Sequence, residues 1–176
     1  LSILILWRGL CVALLGIFIL GVGIPAKAQS NVFQVAAGDV PGLIAAINAA
    51  NDEVAHPGPD TIILAGGTYT LTEANPLGGP DGPTGLPSIT SEIVLEGNGA
   101  TIDRPAHTPA LFRILHVAKG GDLTLSQVTI SGGFTGNDAT LPPVLTFYPG
   151  GGIYNAGSLT IAYSSIVDNG HEMERL

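Results

Sequence analysis

Residues 150–170 read GGGIYNAGSLTIAYSSIVDNG and contain three short runs of apolar and β-branched residues. The runs lie at 153–154, 159–161 and 164–167, and turn-forming Asn, Gly and Asp residues separate or follow them. The pattern predicts three short strands joined by tight turns. A unit of this length cannot bury its own apolar side chains, so it has to stack on a similar neighbour.

An internal repeat supplies such a neighbour. Residues 113–133 (RILHVAKGGDLTLSQVTISGG) align without a gap on residues 149–169, at an offset of 36 residues. Turn glycines and apolar positions keep their places in this alignment, as in the pairs Gly121 with Gly157, Leu123 with Leu159, Leu125 with Ile161, and Ile130 with Ile166. The repeat predicts a solenoid of stacked coils with these leucines and isoleucines in its interior layers.

The repeats resemble those of secreted bacterial proteins with a right-handed parallel β-helix, the pectate-lyase-like fold, and in particular the polymorphic outer-membrane protein type. Coils of that type carry G-G-G-I-Y-N and then G-x-L-T-[LI]-x-x-S-x-I, which residues 150–155 and 157–166 match. Residues 60–72 and 89–103 resemble the first coils of the same proteins. Some of those proteins begin with a C-S-L-R-E-A segment, whereas residues 38–51 occupy that place here.

The resemblance implies an all-β solenoid, a right-handed parallel β-helix with a short N-terminal capping helix. It also implies an exported, non-catalytic module of a bacterial surface or extracellular protein, either adhesin-like or structural. A polysaccharide lyase or glycoside hydrolase of the same fold is the alternative, because fold alone does not determine function.

Residues 1–28 have the features of a secretory signal peptide. Arg8 precedes an apolar stretch over 9–23, and Ala26-Lys27-Ala28 forms an A-x-A cleavage site. An uncleaved membrane anchor is the alternative, but the apolar stretch is shorter than the roughly 20 residues of a spanning helix. We therefore predict secretion or display at the bacterial cell surface or outer membrane, with no membrane span after cleavage.

The predicted mature chain has 148 residues, and it lacks cysteine because Cys11 lies in the signal peptide. Two of the six basic residues leave with that segment, so the net charge changes from −8 to −10. An acidic chain with so few basic residues is a poor ligand for nucleic acid. Carbohydrate or another cell-surface ligand remains as the expected partner.

Residues 29–59 are predicted to form an N-terminal segment with a capping helix over 39–51. Asp39 is suited to the N-cap and Pro41 to the first turn. The apolar face of the helix comprises Leu43, Ile44, Ile47 and Ala50. Such a face would cover the apolar layer at the open end of the first coil.

The coils are predicted over residues 60–170, with strands at 61–64, 68–72, 93–95 and 100–102 and a turn over 96–99. Three outward loops interrupt them. The loops cover 75–88, which holds four prolines and four glycines, then 103–110 and 132–150. A coil without such loops is expected to have roughly 20 to 25 residues, as short strands and tight turns require.

Four aspartates beside predicted strands are candidates for binding Ca²⁺, a cation that prefers oxygen ligands. They are Asp60, Asp103, Asp122 and Asp168. No two of them are close in sequence, which favours solvated turn aspartates, and the same applies to Asp138. The sequence therefore assigns no metal ligands, and Ca²⁺ stays open.

No catalytic motif accompanies the basic residues of the repeat region, Arg104, Arg113 and Lys119, and Asp103-Arg104 is interpreted as a surface ion pair. His107 in the second loop and His116 on a strand lack the spacing of metal ligands. Ser164-Ser165 lacks a G-x-S-x-G setting and is assigned to a strand. We therefore predict no catalytic residues and no cofactor, and a non-catalytic protein is favoured over an enzyme.

The coil corners hold Asn155 and Asn169, whose amides are expected to bond to the next coil as a ladder. Phe147, Tyr148 and Tyr154 form the densest aromatic group, suited either to stacking on sugar rings or to burial beneath the third loop. Residues 171–176 depart from the repeat. We expect the chain to be a fragment of a longer exported protein, with an uncovered apolar edge that promotes self-association.

Overall fold

The computed structural model describes residues 30–76, 81–136 and 148–171. These residues contain one helix and eleven short strands. In chain order the elements are β1 (Val32–Val35), α1 (Val40–Ala50), β2 (Asp60–Leu64), β3 (Thr68–Thr70), β4 (Glu92–Asp103), β5 (Leu115–Val117), β6 (Asp122–Ser131), β7 (Phe134–Thr135), β8 (Ile153–Asn155), β9 (Ser158–Ala162), β10 (Ser165–Val167) and β11 (Gly170–His171).

The strands stack in parallel as a β-helix of about four turns, which confirms the predicted fold. The largest sheet has the order β1-β2-β4-β6-β10, with β3 paired to β4 and β9 paired to β6. A second sheet pairs β5 with β8, and a third pairs β7 with β11. All of these strand pairs are parallel, so each coil lies in register on the coil before it.

Strands β4 and β6 each continue around a corner of the coil. The predicted turn over 96–99 lies at this corner in β4, where the pairing with β6 shifts between Glu96 and Ala100. Asn98, Gln127 and Tyr163 lie at the corner in successive coils and have φ angles of 48°, 53° and 51°. Residues other than glycine rarely adopt positive φ, and here the coil has to bend sharply between two of its faces.

Alternate residues of the strands point into the coil and form layers along the solenoid. Leu95 pairs in register with Leu125, which pairs with Ile161. Leu123, Leu125 and Ile130 are fully buried, as predicted. In the last coil Leu159 is partly buried, while Ile161 and Ile166 remain 46% and 40% exposed. The layers are therefore closed in the inner coils and open on the last one.

The helix α1 closes the other end of the layers, as predicted. Asp39 is its N-cap and accepts a hydrogen bond from the amide of Gly42 at 2.9 Å. Its buried face packs against β1 and β2 and consists of Leu43, Ala46, Ile47 and Ala50. No helix in the described parts of the chain is long and apolar enough to cross a bilayer.

Strand β1 pairs with β2 and was not predicted, so the parallel sheet starts one strand earlier than expected. The four residues of β1 are too few to show the alternation of apolar and polar residues that predicts a strand, which is why the strand was missed. Its first link to the coil is polar: the backbone amide and side-chain amide of Asn31 both donate to Asp60, at 3.0 and 2.8 Å.

The gapless alignment of the two repeats is wrong in its first part. Val117 pairs with Asn155, an offset of 38 residues, whereas Asp122 pairs with Ser158, an offset of 36 residues. The turn before Asp122 is therefore two residues longer than the turn before Ser158. Asp60 pairs with Ile93, an offset of 33 residues, and Glu92 pairs with Asp122, an offset of 30 residues, because each of these coils carries a loop in addition to its strands.

The assignment of all of 75–88 to an outward loop is also wrong. Thr84 forms a parallel bridge with Arg113, and Ile89 forms one with Val117. Leu86 and Ile89 are fully buried. The second half of this proline-rich stretch therefore forms the third face of its coil, where isolated bridges replace a continuous ladder and the prolines leave the pairing intact.

Candidate functional site

An open groove of about 470 Å³ lies where the loop after β4 meets the segment between β6 and β7 and the turn after β10. We call it the loop groove. The residues that line it and matter for its chemistry are Asp103, Arg104, Leu111, Ser131, Phe134 and Asp168. Three successive coils contribute to the groove, so it exists only because the coils are stacked.

Arg104 supports the loop beside the groove from within. Its side chain is only 3% exposed, and it donates to the carbonyl oxygens of Ala110 at 2.9 Å, Thr108 at 2.6 Å and Gly132 at 3.4 Å. Its guanidinium carbon lies 5.3 Å from the centre of the Phe112 ring, a distance at which a cation and an aromatic face attract. The prediction that Asp103 and Arg104 form a surface ion pair is therefore wrong.

Burial lowers the pKa of Arg104 below its ordinary value, and the nearby Asp103 carboxylate partly offsets that effect. An arginine remains protonated in proteins despite such a shift, because its ordinary pKa lies far above neutral pH. The buried charge is neutralised by carbonyl dipoles and by Asp103. Arg104 thus orders the loop and offers little of its charge to a ligand.

The groove needs a glycine where its two loops meet. Gly132 has a φ of +72°, and a Cβ atom at this position would lie 2.0 Å from the backbone oxygen of Arg104. No side chain fits there unless the backbone moves. The close approach also brings an Asp103 carboxylate oxygen beside Gly132, at 3.1 Å from the same Cβ position.

Asn169 fixes the last wall of the groove, the turn that contains Asp168. Its side-chain oxygen accepts from the amide of Gly133 at 2.8 Å, and its amide nitrogen donates to the carbonyl of Ile130 at 3.0 Å. The predicted ladder of side-chain amides is therefore wrong: Asn169 joins its coil to the preceding one, but through backbone groups. Asn155 instead bonds within its own turn, to the amide of Gly157 at 3.0 Å.

The groove offers hydrogen-bond acceptors and an apolar surface to a ligand. Asp103 and Asp168 supply carboxylates, and Ser131 supplies a hydroxyl. Phe134 and Leu111 are half-buried and give the groove an apolar part. In the part of the chain that the structure describes, histidine, lysine and cysteine do not line this groove. The arrangement suits reversible binding of a polar ligand that also has an apolar face.

A second polar cluster lies on the third face of the coils and consists of Asp81, Arg113, His116 and Tyr154. The Arg113 side chain donates to the carbonyl of Asp81 at 2.7 Å, and its guanidinium carbon lies 5.0 Å from the centre of the Tyr154 ring. The His116 ring stacks on the same tyrosine at 5.4 Å. We call this group the third-face cluster.

The two basic side chains of the third-face cluster are closed to solvent, although Asp81 is 45% exposed. Arg113 is fully buried and His116 is 1% exposed. Two guanidinium nitrogens, Nε and Nη1, have no hydrogen-bond partner. The His116 Nε2 atom lies 3.3 Å from the Asp81 carboxylate, yet the two groups are not aligned as a hydrogen bond. A substrate cannot reach these atoms in this arrangement, so the cluster acts as a structural fastening for the Asp81 segment.

Burial sets the protonation of His116. It lowers the pKa of the imidazole below its ordinary value, the Asp81 carboxylate raises it in part, and the Arg113 charge lowers it further. The ring is therefore neutral at pH 7. One of its nitrogens, Nδ1, lies 2.8 Å from the hydroxyl oxygen of Ser88, which joins the two neighbouring coils. Burial likewise lowers the pKa of Arg113, partly offset by Asp81.

The four aspartates considered for Ca²⁺ lie in different surroundings. Asp60 is fully buried and bonded to Asn31, so its assignment as a solvated turn residue is wrong. Asp122 is exposed at the start of β6, away from the loop groove. Asp103 and Asp168 alone come together. Within the described residues, no group of three or more His, Cys, Asp or Glu side chains could hold a metal ion.

The remaining residues singled out in the sequence do not line the loop groove. His107 is exposed in the loop after β4, and His116 lies on β5 as predicted. Ser164 lies in the corner between β9 and β10 rather than on a strand, and its hydroxyl accepts from the amide of Val128 at 3.1 Å. Ser165 begins β10. Asp138 and Phe147 lie outside the described residues.

The aromatic group does not face an open surface as a unit. Tyr154 belongs to the third-face cluster, and Tyr148 packs so closely on Gly82 that a Cβ atom there would lie 2.2 Å from its ring. The aromatic residue of the groove is Phe134, which the sequence analysis did not single out. Its place directly after the Gly132-Gly133 pair was the available signal, because that pair marks a close approach of two backbone segments.

No family model matches this chain, and comparison with curated proteins and with solved structures finds no match.

Proposed function

We propose that this chain is an exported, non-catalytic β-helix module of a bacterial surface or extracellular protein, and that it binds its ligand in the loop groove. One observation carries the proposal. The groove is already formed, yet Arg104, the only basic side chain that lines it among the described residues, is buried and donates to three backbone carbonyls. The groove therefore has side chains that can bind a ligand, but its arginine is not available to act as a catalytic base.

The sequence supports the export part of the proposal. Residues 1–28 have the three regions of a signal peptide, and the repeats resemble those of the polymorphic outer-membrane protein type. Material recovered outside the producing cell should begin at Gln29. A variant with Ala28→Arg, which spoils the A-x-A site, should retain residues 1–28. Recovery of the unaltered chain in the membrane fraction with residues 1–28 attached would contradict export.

A glycoside hydrolase is the second candidate, and one observation favours it. Asp103 and Asp168 line the same groove, and hydrolysis of a glycosidic bond uses two carboxyl groups on opposite sides of the bond. A lyase fits less well, because it needs an accessible base in the groove. Arg104 and Arg113 are buried, and the exposed Lys119 does not line the groove.

A single assay separates binding from catalysis. The mature chain is incubated with neutral and acidic polysaccharides, with and without Ca²⁺, and the solution is analysed for new reducing ends and for ultraviolet absorption by unsaturated sugars. We expect neither product. Reducing ends released by the parent but not by an Asp103→Asn variant would establish the hydrolase, and unsaturated products would establish a lyase.

A further inference from the structure

We infer that the loop groove binds a glycan that contains amino sugars with free amino groups, and that it rejects glycans built from uronic acids. The inference rests on the proposed binding function and names the ligand class of that site. It follows from the charge around the groove, from the apolar part of its surface and from the hydrogen bonds that its backbone amides already make.

Charge is the first argument. Asp103 and Asp168 both line the groove, while the only basic residue beside them is buried and bonded to carbonyls. Within the described parts of the chain, Lys119 is the single exposed Lys or Arg, because Arg104 and Arg113 are 3% and 0% exposed. Arg104 partly offsets the charge of Asp103, but the exposed Asp168 has no such cation among the residues that line the groove. An anionic glycan would be repelled mainly by Asp168, and an ammonium group would be attracted to both carboxylates, more strongly to Asp168.

Shape and polarity are the second argument. The groove volume of about 470 Å³ lies within the range of about 300 to 1,000 Å³ typical of small-ligand sites. Phe134 and Leu111 line the groove together with the two carboxylates and the Ser131 hydroxyl, so the groove offers both apolar and polar contacts. A sugar ring has a face of C–H groups and a rim of hydroxyl groups. It can therefore pack on the aromatic ring while its hydroxyls donate to the acidic side chains.

The backbone provides the third argument, because it disfavours an extended peptide. A peptide commonly binds a β-protein by adding a strand to an open edge. Around the groove the amides of Arg104, Phe134 and Gly170 already donate to backbone carbonyls, at 3.1, 3.0 and 2.9 Å. Side chains are left to recognise the ligand, and their chemistry matches hydroxyl and ammonium groups on a ring.

Calorimetric titration of the mature chain tests this inference with four probes of equal length. These are tetramers of glucosamine, of N-acetylglucosamine, of galacturonic acid and of lysine. We expect the glucosamine tetramer to bind most tightly, the acetylated tetramer to bind about tenfold more weakly because it lacks both ammonium contacts, and the galacturonate tetramer not to bind. Binding of glucosamine should weaken between about 0.1 M and about 1 M salt, where screening shortens from about 10 Å to about 3 Å.

Matched variants locate the site. Asp168→Asn should weaken glucosamine binding about threefold to fivefold, and asparagine tolerates the φ of 54° at this position, so the fold is kept. Phe134→Ala should weaken all sugar binding. Asp122→Asn is the control, because it removes an exposed aspartate with the same charge outside the groove and should leave affinity unchanged.

Each outcome has a distinct meaning. Tighter binding of galacturonate, or equal affinity for the acetylated tetramer, overturns the ligand class but leaves the proposed binding function in place. Stronger binding of tetralysine overturns it in favour of a cationic peptide. Absence of binding by every probe, or an equal loss in the Asp122→Asn control, overturns the inference. Cleavage of a tetramer during the titration would instead overturn the proposed function.

Discussion

Leu125 and Ile161 occupy the same position in successive coils, and their burial differs. Leu125 on β6 pairs with Ile161 on β9, and it is fully buried while Ile161 is 46% exposed. Replacing each by alanine removes the same number of carbon atoms from the same layer of the solenoid. Comparing the two alanine variants therefore shows how burial at this position differs between the two coils.

The expected losses in the free energy of unfolding follow from that difference in burial. Leu125→Ala should lower the free energy of unfolding by about 2 to 5 kcal/mol, since it removes buried carbon atoms and leaves an enclosed cavity. Ile161→Ala should cost about 1 kcal/mol, because roughly half of the side chain already contacts water and no enclosed cavity remains. The difference between the two variants should thus be at least about 1 kcal/mol.

Urea unfolding, followed by circular dichroism and fluorescence, measures both values in the mature chain. The comparison requires that the denaturant dependence stays the same in the two variants, so that changes of midpoint report stability. Equal losses would refute the assignment of an open last coil. A small loss at Leu125 would refute the interior layers themselves, and with them the register of the β-helix.

Three other predictions follow from particular residues. Gly132→Ala should destabilise the fold by several kcal/mol, because its Cβ would lie 2.0 Å from a backbone oxygen. Gly99→Ala is the control, since Gly99 has a φ of +80° but nothing lies within 4 Å of the added Cβ. It should cost only about 1 to 2 kcal/mol of backbone strain in the same urea assay. The pKa of His116 is lower in the folded chain than in the unfolded chain. As pH falls below about 6.5, His116 therefore takes up a proton first in the unfolded chain. Stability should therefore decrease below that pH, and His116→Gln but not His107→Gln should reduce this decrease in pH-dependent unfolding curves. The exposed apolar side chains of the last coil should promote self-association, and Ile161→Lys should reduce the light scattering of the mature chain at micromolar concentration; unchanged scattering would argue against this contact.

The fold was largely predictable from the sequence because its repeat preserves the interior positions. Leu123, Leu125 and Ile130 recur at a constant offset in the later coil, and they are the residues that the structure buries. The two-residue difference between the turns could not be seen, because glycine and alanine in both turns align equally well at either spacing. A third face built from isolated bridges likewise lacks the alternation that identifies a strand.

The candidate site was only partly predictable. Asp103 and Asp168 were noticed as separate turn residues and Arg104 as the partner of Asp103 in a surface ion pair. That Asp103 and Asp168 line one groove depends on which coil stacks on which. The burial of Arg104 was not foreseen because its partners are the backbone carbonyls of a loop, and sequence patterns carry little information about such partners. Arg113 and His116 were missed as a cluster because Asp81 comes from the preceding coil and Tyr154 from the following one.

The most direct test of a non-catalytic groove that binds amino sugars is a heteronuclear NMR titration of the mature chain with the glucosamine tetramer. We predict shifts confined to the loop groove, largest at Phe134, Leu111 and Ser131, and a sugar spectrum that stays intact after prolonged incubation. Shifts centred on the third-face cluster or on the exposed side of the last coil would contradict the assigned site. New reducing-end signals from the sugar would contradict its non-catalytic role.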